Sequence, residues 1–259
     1  MFKYFKVVCK CLWMFIYSYF AWIRKYSTHP EKYDINLRFK KVQRFIQKVL
    51  EAFNVQYDLI DIDQYEKNLK ENKSMLLVAN HISDCDPLVM IAIAKRPMTF
   101  VSKIENEKLL YVGRLLKCID GVFIDRDDLK QQLKVFKKIK ENMMSDKPLD
   151  WVIFPEGTRN KTNVGEVQEF HYGTIKPAMN SSSPISVFSI VGTQRILSTK
   201  SKEKKYPVII KFDKTFTPDE YKGLTTVELS EKLNEICALN VKDLLPRDLN
   251  NINKLEKKN

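Results

Sequence analysis

The sequence of 259 residues is poor in the residues that build several common kinds of site. Its seven glycines are nowhere spaced as a G-x-G-x-x-G or Walker loop, which excludes dinucleotide-binding and P-loop proteins. Its five cysteines include no C-x-x-C pair and no Cys/His cluster with zinc-site spacing. Their odd number predicts free thiols in a reducing compartment. We therefore expect no metal and no bound cofactor, and only three histidines are available for chemistry.

Positive charge is concentrated near the N-terminus. The net charge is +12, and the first 50 residues hold 11 Lys/Arg against only Glu31 and Asp34, a net +9 that leaves +3 for the rest. A nucleic-acid-binding protein usually spreads its basic side chains along a groove, whereas here they flank an apolar, aromatic segment. The pattern favours an anionic lipid surface as the partner and disfavours nucleic acid.

That apolar segment is residues 11–23, CLWMFIYSYFAWI. As a helix its thirteen residues would extend about 20 Å, short of the roughly 30 Å hydrocarbon core of a bilayer. Trp13, Trp22 and several tyrosines suit the membrane interface. We expect an interfacial or half-inserted helix, with a single span or a cleaved signal peptide as alternatives. The lack of an A-x-A-like site disfavours the signal peptide.

A second helix is predicted at about residues 36–53, where apolar residues recur at helical spacing and Lys and Arg fill other positions. A basic amphipathic helix is typical of a membrane surface. Alternatively, this helix packs on the domain and exposes its basic face to solvent. Both interpretations can hold, each for a different face of the helix.

From about residue 55 the pattern becomes α/β. Short apolar runs between breakers predict strands buried on both faces, and helical patterns alternate with them. The sequence thus predicts one mostly parallel or mixed sheet of about seven strands covered by helices. We expect membrane-associated helices at 1–54, a catalytic domain at 55–246 and a flexible Lys/Asn-rich tail at 247–259. The predicted strands are 55–60, 75–80, 98–102, 121–125, 151–154, 185–191 and 208–212, and the helices 87–94, 128–144, 173–180 and 226–238.

The first chemical motif is N-H-I-S-D-C-D-P, residues 80–87, at the end of a predicted strand. Asp86 before Pro87 can be a plain helix cap. Alternatively, the one-turn loop folds the Asp86 carboxylate back onto the His81 imidazole. That pair would fix the tautomer and leave the other ring nitrogen as a general base, with an alcohol substrate supplying the attacking oxygen.

The second motif is F-P-E-G-T-R, residues 154–159, directly after another strand. It gathers a carboxylate, a glycine, a hydroxyl and a guanidinium in one turn, and the guanidinium fork suits phosphate. Taken alone, such a turn is more often an ordinary one with a surface ion pair.

Together the motifs resemble those of the glycerolipid acyltransferases, in particular bacterial lysophosphatidic acid acyltransferases. The resemblance covers roughly residues 35–215 and implies a glycerol-3-phosphate acyltransferase-like α/β fold with an N-terminal two-helix membrane-docking element. The matched positions are Asn80, His81, Ser83 and Asp86 for N-H-x-x-x-x-D, Gly121, Phe123, Ile124 and Arg126 for G-x-F-I-x-R, Phe154 to Arg159 for F-P-E-G-T-R, and a looser apolar run around Pro184.

The resemblance implies direct acyl transfer. His81, oriented by Asp86, takes the proton of the sn-2 hydroxyl of 1-acyl-glycerol-3-phosphate, which attacks an acyl thioester (acyl-CoA or acyl carrier protein) and gives phosphatidic acid. It also implies work at the cytoplasmic face of the cell membrane, peripheral or anchored by one helix. The implied acceptor-binding residues are Lys103, Arg126, Glu156, Gly157, Thr158 and Arg159.

Some features depart from the pattern or leave alternatives. The family often has a Lys two residues before a Gly after the third motif, where this chain has His171. Cys85 or Ser83 as a nucleophile is disfavoured, because a thiol beside the base would need its own oxyanion donors. Another lysophospholipid or glycerol 3-phosphate as acceptor, a lipid-phosphate hydrolase and a non-catalytic lipid-binding protein are the competing functions.

Overall fold

The computed structural model describes residues 11–147, 149–160, 163–198 and 204–256. They form one seven-stranded sheet in the order β1-β7-β6-β2-β5-β3-β4. Neighbouring strands are parallel except β6 and β7, which are antiparallel. The predicted mixed α/β sheet is therefore confirmed. The strands are β1 (Val55–Ile60), β2 (Leu76–Ala79), β3 (Met98–Lys103), β4 (Val122–Ile124), β5 (Asp150–Ile153), β6 (Ile185–Val191) and β7 (Tyr206–Phe216).

Helices lie on both faces of the sheet. The first, α1, covers residues 11–28 and contains a π-helical stretch at Tyr19–Ile23. Short 3₁₀ turns occupy Pro30–Lys32, Ile104–Lys108, Tyr172–Ile175 and Thr193–Arg195. The remaining helices are α2 (Ile35–Ala52), α3 (Ile62–Glu71), α4 (Asp86–Ile93), α5 (Val112–Cys118), α6 (Leu129–Met143), α7 (Lys176–Asn180), α8 (Pro218–Tyr221) and α9 (Thr226–Glu256).

The central strands are apolar on both sides because both of their faces are covered. Every residue of β2, β5 and β6 is buried. One face packs against α1, α2, α4 and α5, and the other against α6, α7 and α9. This two-sided burial explains why these strands are nearly continuous apolar runs rather than alternating ones.

The two N-terminal helices are part of the folded core. Trp22, Ile23 and Tyr26 of α1 and Phe39 and Phe45 of α2 are buried in the cluster under the sheet. The basic side chains of α2 point away from this core and are exposed, with the exception of Arg38. They are Lys40, Lys41, Arg44 and Lys48.

Arg38 is instead buried at the junction of α2 and α5. It makes a bidentate ion pair with Asp120 at 2.8 and 2.9 Å and donates to the carbonyl oxygens of Tyr33 and Cys118. A buried guanidinium needs such complete pairing, because its desolvation is otherwise costly. One of the residues that the sequence assigned to the basic surface thus fixes the N-terminal helices to the domain.

The chain differs from expectation at the C-terminus. The predicted tail from residue 247 is wrong for residues 247–256, since α9 continues through Pro246 to Glu256. Arg195 forms a bidentate pair with Asp248, and Arg247 pairs with Asp58 at 2.7 Å, so tertiary contacts hold the last turns against the sheet. Helices α3, α5 and α8 were not predicted.

No helix in the described part of the chain combines the length and the apolar character needed to cross a membrane. Residues 1–10, which carry three of the lysines that precede the apolar segment, lie outside the described residues.

Candidate active site

His81 and Asp86 meet at the carboxyl end of β2. Asp86 begins α4, and its side chain is fully buried. Its Oδ2 lies 2.8 Å from Nδ1 of His81 and accepts the backbone N–H groups of Ile82 (2.7 Å) and Ser83 (2.8 Å). These donors precede the helix, so the carboxylate does not act as the plain helix cap that was the alternative.

The tautomer of His81 follows from this pairing. A carboxylate that already accepts two N–H groups has only lone pairs to offer, so Nδ1 must carry the proton. Nε2 is then the ring nitrogen with a free lone pair. The His81 side chain is 19% exposed, so the ring is not sealed inside the protein.

Thr193 completes the environment of Asp86, and sequence reasoning missed it. Its hydroxyl donates to Oδ1 of Asp86, and the residue is fully buried in the turn that follows β6. β6 is the neighbour of β2 in the sheet, so its carboxyl end lies beside the His81 loop. No motif marks this threonine, because it lies 107 residues from Asp86 in the chain.

Glu156 joins the two motifs through the backbone. It is 2% exposed, and its two oxygens accept the N–H groups of His81 (2.5 Å) and Gln168 (2.9 Å). Burial raises the pKa of this carboxyl, while the two backbone donors oppose that shift. In the structure Glu156 therefore positions the loop that carries His81, and its predicted contact with the acceptor stays a prediction.

The His81 ring is also held from one side by the second motif. It stacks on Phe154 with ring centroids 4.4 Å apart and an interplanar angle of 18°. The carbonyl oxygen of His81 accepts the N–H of Asn160 at 2.8 Å, so the F-P-E-G-T-R turn folds directly around the histidine. The two motifs therefore lie together in the structure.

Gly157 is in the left-handed region, with φ of +68°. A Cβ added there would lie 2.9 Å from Cδ2 of His171, so both the backbone conformation and the neighbouring ring require glycine. His171 thus covers the F-P-E-G-T-R turn, and its own N–H donates to the carbonyl oxygen of Pro155 at 3.0 Å. Thr158 lies exposed between them and Arg159.

The predicted phosphate-binding cations fall into two groups. Arg159 forms an ion pair with Asp84, a residue of the His81 loop. Lys103, at the end of β3, pairs with Glu105 at 2.5 Å, and its hydrogen bond, aided by Arg126, lowers the pKa of that carboxyl. β2, β5, β3 and β4 are consecutive parallel strands, so their carboxyl ends place all three cations along one edge of the sheet with His81.

Neither Cys85 nor Ser83, the two candidate nucleophiles in the His81 loop, is activated. Cys85 is 1% exposed, and burial raises the pKa of its thiol to about 12, so it is protonated at neutral pH. The Ser83 hydroxyl is buried and accepts the N–H of Cys85 at 3.0 Å. Within the described residues no cluster of His, Cys, Asp or Glu could hold a metal ion.

The site geometry agrees with comparisons to known proteins. The family model described as Acyltransferase matches residues 62–191, half of the chain and the region that holds both motifs. The chain belongs to the acyltransferase family. The family assignment predicted from the motifs is therefore confirmed, and the chain is an O-acyltransferase.

Curated relatives within the acyltransferase family cover most of the chain. A protein of Mycoplasma pneumoniae is 33% identical over 190 residues, 71% of this chain and 68% of its own length. A protein of Mycoplasma genitalium is 29% identical over 241 residues, 86% of each chain. Both are named probable 1-acyl-sn-glycerol-3-phosphate acyltransferase.

The fold has also been seen in a solved structure. The crystal structure of the 1-acyl-sn-glycerophosphate acyltransferase of Thermotoga maritima superposes with a TM-score of 0.69 at 19% identity. The match covers 93% of this chain and 97% of that protein. At this level of identity the likeness concerns the fold.

Proposed function

We propose that the chain transfers a fatty-acyl group from a thioester to the sn-2 hydroxyl of 1-acyl-glycerol-3-phosphate, without an acyl-enzyme. Nε2 of His81 takes the hydroxyl proton while the oxygen attacks the thioester carbonyl carbon. The carbon–sulfur bond then breaks, and the proton passes from Nε2 to the leaving sulfur, so that phosphatidic acid and a free thiol are formed. The developing imidazolium is stabilised by the Asp86 carboxylate.

One observation carries this proposal: the His81 imidazole is fixed by a fully buried carboxylate at 2.8 Å while its other nitrogen is left for substrate. Four donors hold that carboxylate, so the ring cannot turn away without breaking the pair. A general base of this kind supports attack by a substrate alcohol. In this mechanism the buried Cys85 and Ser83 take no part in the chemistry.

The choice of acceptor rests on charge and on the named relatives. Arg159, Lys103 and Arg126 lie along the same sheet edge as His81, and a phosphomonoester is the group that such cations bind best. The two Mycoplasma relatives are named for 1-acyl-sn-glycerol-3-phosphate. A hydrolase of lipid phosphates would not need a thioester, so release of a thiol separates the two activities.

We also propose that the enzyme works on the cytoplasmic leaflet, with α1 lying in the interface. One side of α1 presents five large apolar side chains to solvent, and the segment from the loop after β3 to the start of α5 adds three more. Trp13 is 77% exposed and Phe20 69% exposed, and Arg24 lies exposed on the same side. The apolar docking face consists of Leu12, Trp13, Ile16, Tyr17 and Phe20 together with Leu109, Leu110 and Val112.

The test is a thiol-release assay in mixed micelles, with acyl-CoA and acyl carrier protein as donors. The acceptors are 1-acyl-glycerol-3-phosphate, a lysophospholipid with a phosphodiester headgroup, and glycerol 3-phosphate. We expect release that depends on the first acceptor. His81→Ala should lower turnover by roughly 10²–10⁴-fold, the usual contribution of a general base.

His29→Ala is the matched control, because His29 also pairs with a carboxylate, Glu31, but is exposed and remote in the fold. It should keep wild-type turnover. Turnover of His81→Ala within threefold of wild type would rule out the base. Equal rates with and without a phosphate-bearing acceptor would reject the proposed substrate.

A further inference from the structure

The guanidinium of Arg159 is already occupied by an anion from the protein itself. Its Nη1 contacts Oδ2 of Asp84, which lies three residues after His81 in the N-H-I-S-D-C-D-P loop. The pair joins the two motifs. A carboxylate and a phosphate use the same guanidinium fork, so they compete for it.

The pair is placed so that its side chains can separate without disturbing the site. The Ser83 N–H is held by Asp86 at 2.8 Å and the Cys85 N–H by the Ser83 hydroxyl at 3.0 Å, so the backbone is anchored on both sides of Asp84. On the other partner, the N–H of Asn160 is anchored to the carbonyl oxygen of His81. Only the two side chains have to move.

Exposure decides how strong this competition is. The side chain of Asp84 is 65% exposed and that of Arg159 is 33% exposed. Ion pairs in such a solvated setting are weak, and breaking one changes an equilibrium by up to about fivefold. The Asp84 carboxylate is therefore a displaceable occupant, unlike the fully paired Asp86 that lies two residues away.

We propose that Asp84 is an internal competitor at the phosphomonoester site. It occupies Nη1 of Arg159 in the empty enzyme, yields to the acceptor headgroup and returns to displace the headgroup of the product. Substrate and product carry the same phosphomonoester, so the competition weakens both by one common factor and favours release of product. Asp84 thus acts through Arg159 as a positioning residue, and this role rests on the proposed function.

The first experiment compares Asp84→Asn with wild type in the thiol-release assay. We expect the KM for 1-acyl-glycerol-3-phosphate and the competitive inhibition constants of phosphatidic acid and inorganic phosphate to fall by the same factor, up to about fivefold. A phosphate-free acceptor, 1-acylglycerol, should show no change in KM. Asp146→Asn is the control, since Asp146 also forms an exposed ion pair, with Lys73, but lies outside both motifs.

A rise in these constants for Asp84→Asn would mean that Asp84 holds Arg159 ready for phosphate, and it would overturn the proposal. Unchanged constants would overturn it as well. The proposed function is tested separately by the thiol-release rate of the wild-type protein, which reports whether 1-acyl-glycerol-3-phosphate is acylated at all.

The second experiment needs no turnover. Phenylglyoxal modification of Arg159, followed by mass spectrometry of its peptide, should be faster in Asp84→Asn than in wild type and in Asp146→Asn. Inorganic phosphate should protect Arg159 at a lower concentration in Asp84→Asn. Equal modification rates in all three proteins would refute the role of Asp84 as a competitor, even if acylation itself were demonstrated. Faster modification in Asp84→Asn alone would support that role, even if the acceptor proved to be a different phosphate.

Discussion

The backbone N–H of His81 donates to the buried carboxylate of Glu156 at 2.5 Å, across 75 residues of sequence. This contact, rather than a contact with substrate, is what the structure shows for the acid of the F-P-E-G-T-R motif. It couples the geometry of the His81 loop to the turn that carries Arg159. A change in the carboxylate should therefore appear in catalysis as well as in stability.

Glu156→Gln tests this coupling. The amide has one oxygen for two backbone donors, so one of the N–H groups of His81 and Gln168 loses its acceptor. We expect a lower kcat with a smaller change in acceptor KM, and a loss of about 1–3 kcal/mol of stability. Steady-state kinetics and urea unfolding measure both. Glu169→Gln, an exposed neighbour, is the control, and equal behaviour of the two variants would exclude the coupling.

Thr193→Val tests the hydroxyl that holds Oδ1 of Asp86. Valine keeps the shape but leaves a buried carboxylate oxygen without its donor, which costs about 1–3 kcal/mol. We expect lower stability in urea unfolding and a reduced kcat, because the carboxylate can then shift away from His81. Thr193→Ser retains the hydroxyl and should recover most of both. If Thr193→Ser restored stability but not kcat, the role of the hydroxyl would be structural only.

The apolar docking face is best tested by point substitution. Deleting residues 1–34 would also remove Trp22, Ile23 and Tyr26 from the core, so lost binding could reflect unfolding. Trp13→Ser combined with Phe20→Ser removes only exposed surface. Since each large apolar side chain contributes about 1.5–3 kcal/mol when buried, flotation with anionic liposomes should weaken by at least about tenfold.

Leu239→Ser combined with Leu249→Ser is the matched control for this face. Both leucines are more than half exposed, but they lie on α9, which covers the other face of the sheet. This variant should float like wild type. Should both double variants bind liposomes equally well, α1 is not the docking surface.

Asp213 gives the protein a predictable pH dependence. Burial raises the pKa of this carboxyl from 3.8 to about 7, although Ser189 donates to it at 2.6 Å and Lys211 lies nearby. A raised pKa means that the fold favours the protonated form, so the stabilisation is fully present below about pH 4 and is lost as pH rises through 7.

Urea unfolding between pH 4 and 8 measures this loss. The stability of wild type relative to Asp213→Asn should fall with rising pH, by at most about 1.4 kcal/mol per pH unit. Asp243→Asn, an exposed change on α9, should run parallel to wild type. A parallel course for Asp213→Asn would show that this carboxyl is ionised in the fold throughout the range.

The local sequence was sufficient to predict the strands and the His81–Asp86 pair. The apolar runs between breakers located all seven strands, with β1 and β6 at their observed bounds. The signal is clearest for β2, β5 and β6, because a strand buried on both faces has to be mostly apolar. His81 and Asp86 are only five residues apart, so the contact between their side chains could be predicted from spacing alone. Helices α3, α5 and α8 were not predicted. α5 and α8 are short, and α3 has only three large apolar residues among its ten.

Tertiary structure decided the rest. Thr193 reaches Asp86, Glu156 reaches His81 and Asp84 reaches Arg159 only because β2 lies between β6 and β5, an order that does not follow the chain. In the same way α9 continues past Pro246 because its last turns find ion-pair partners on distant strands and loops. Spacing along a chain fixes contacts within one turn, but contacts between strand ends depend on sheet order, which is set by packing of the whole domain.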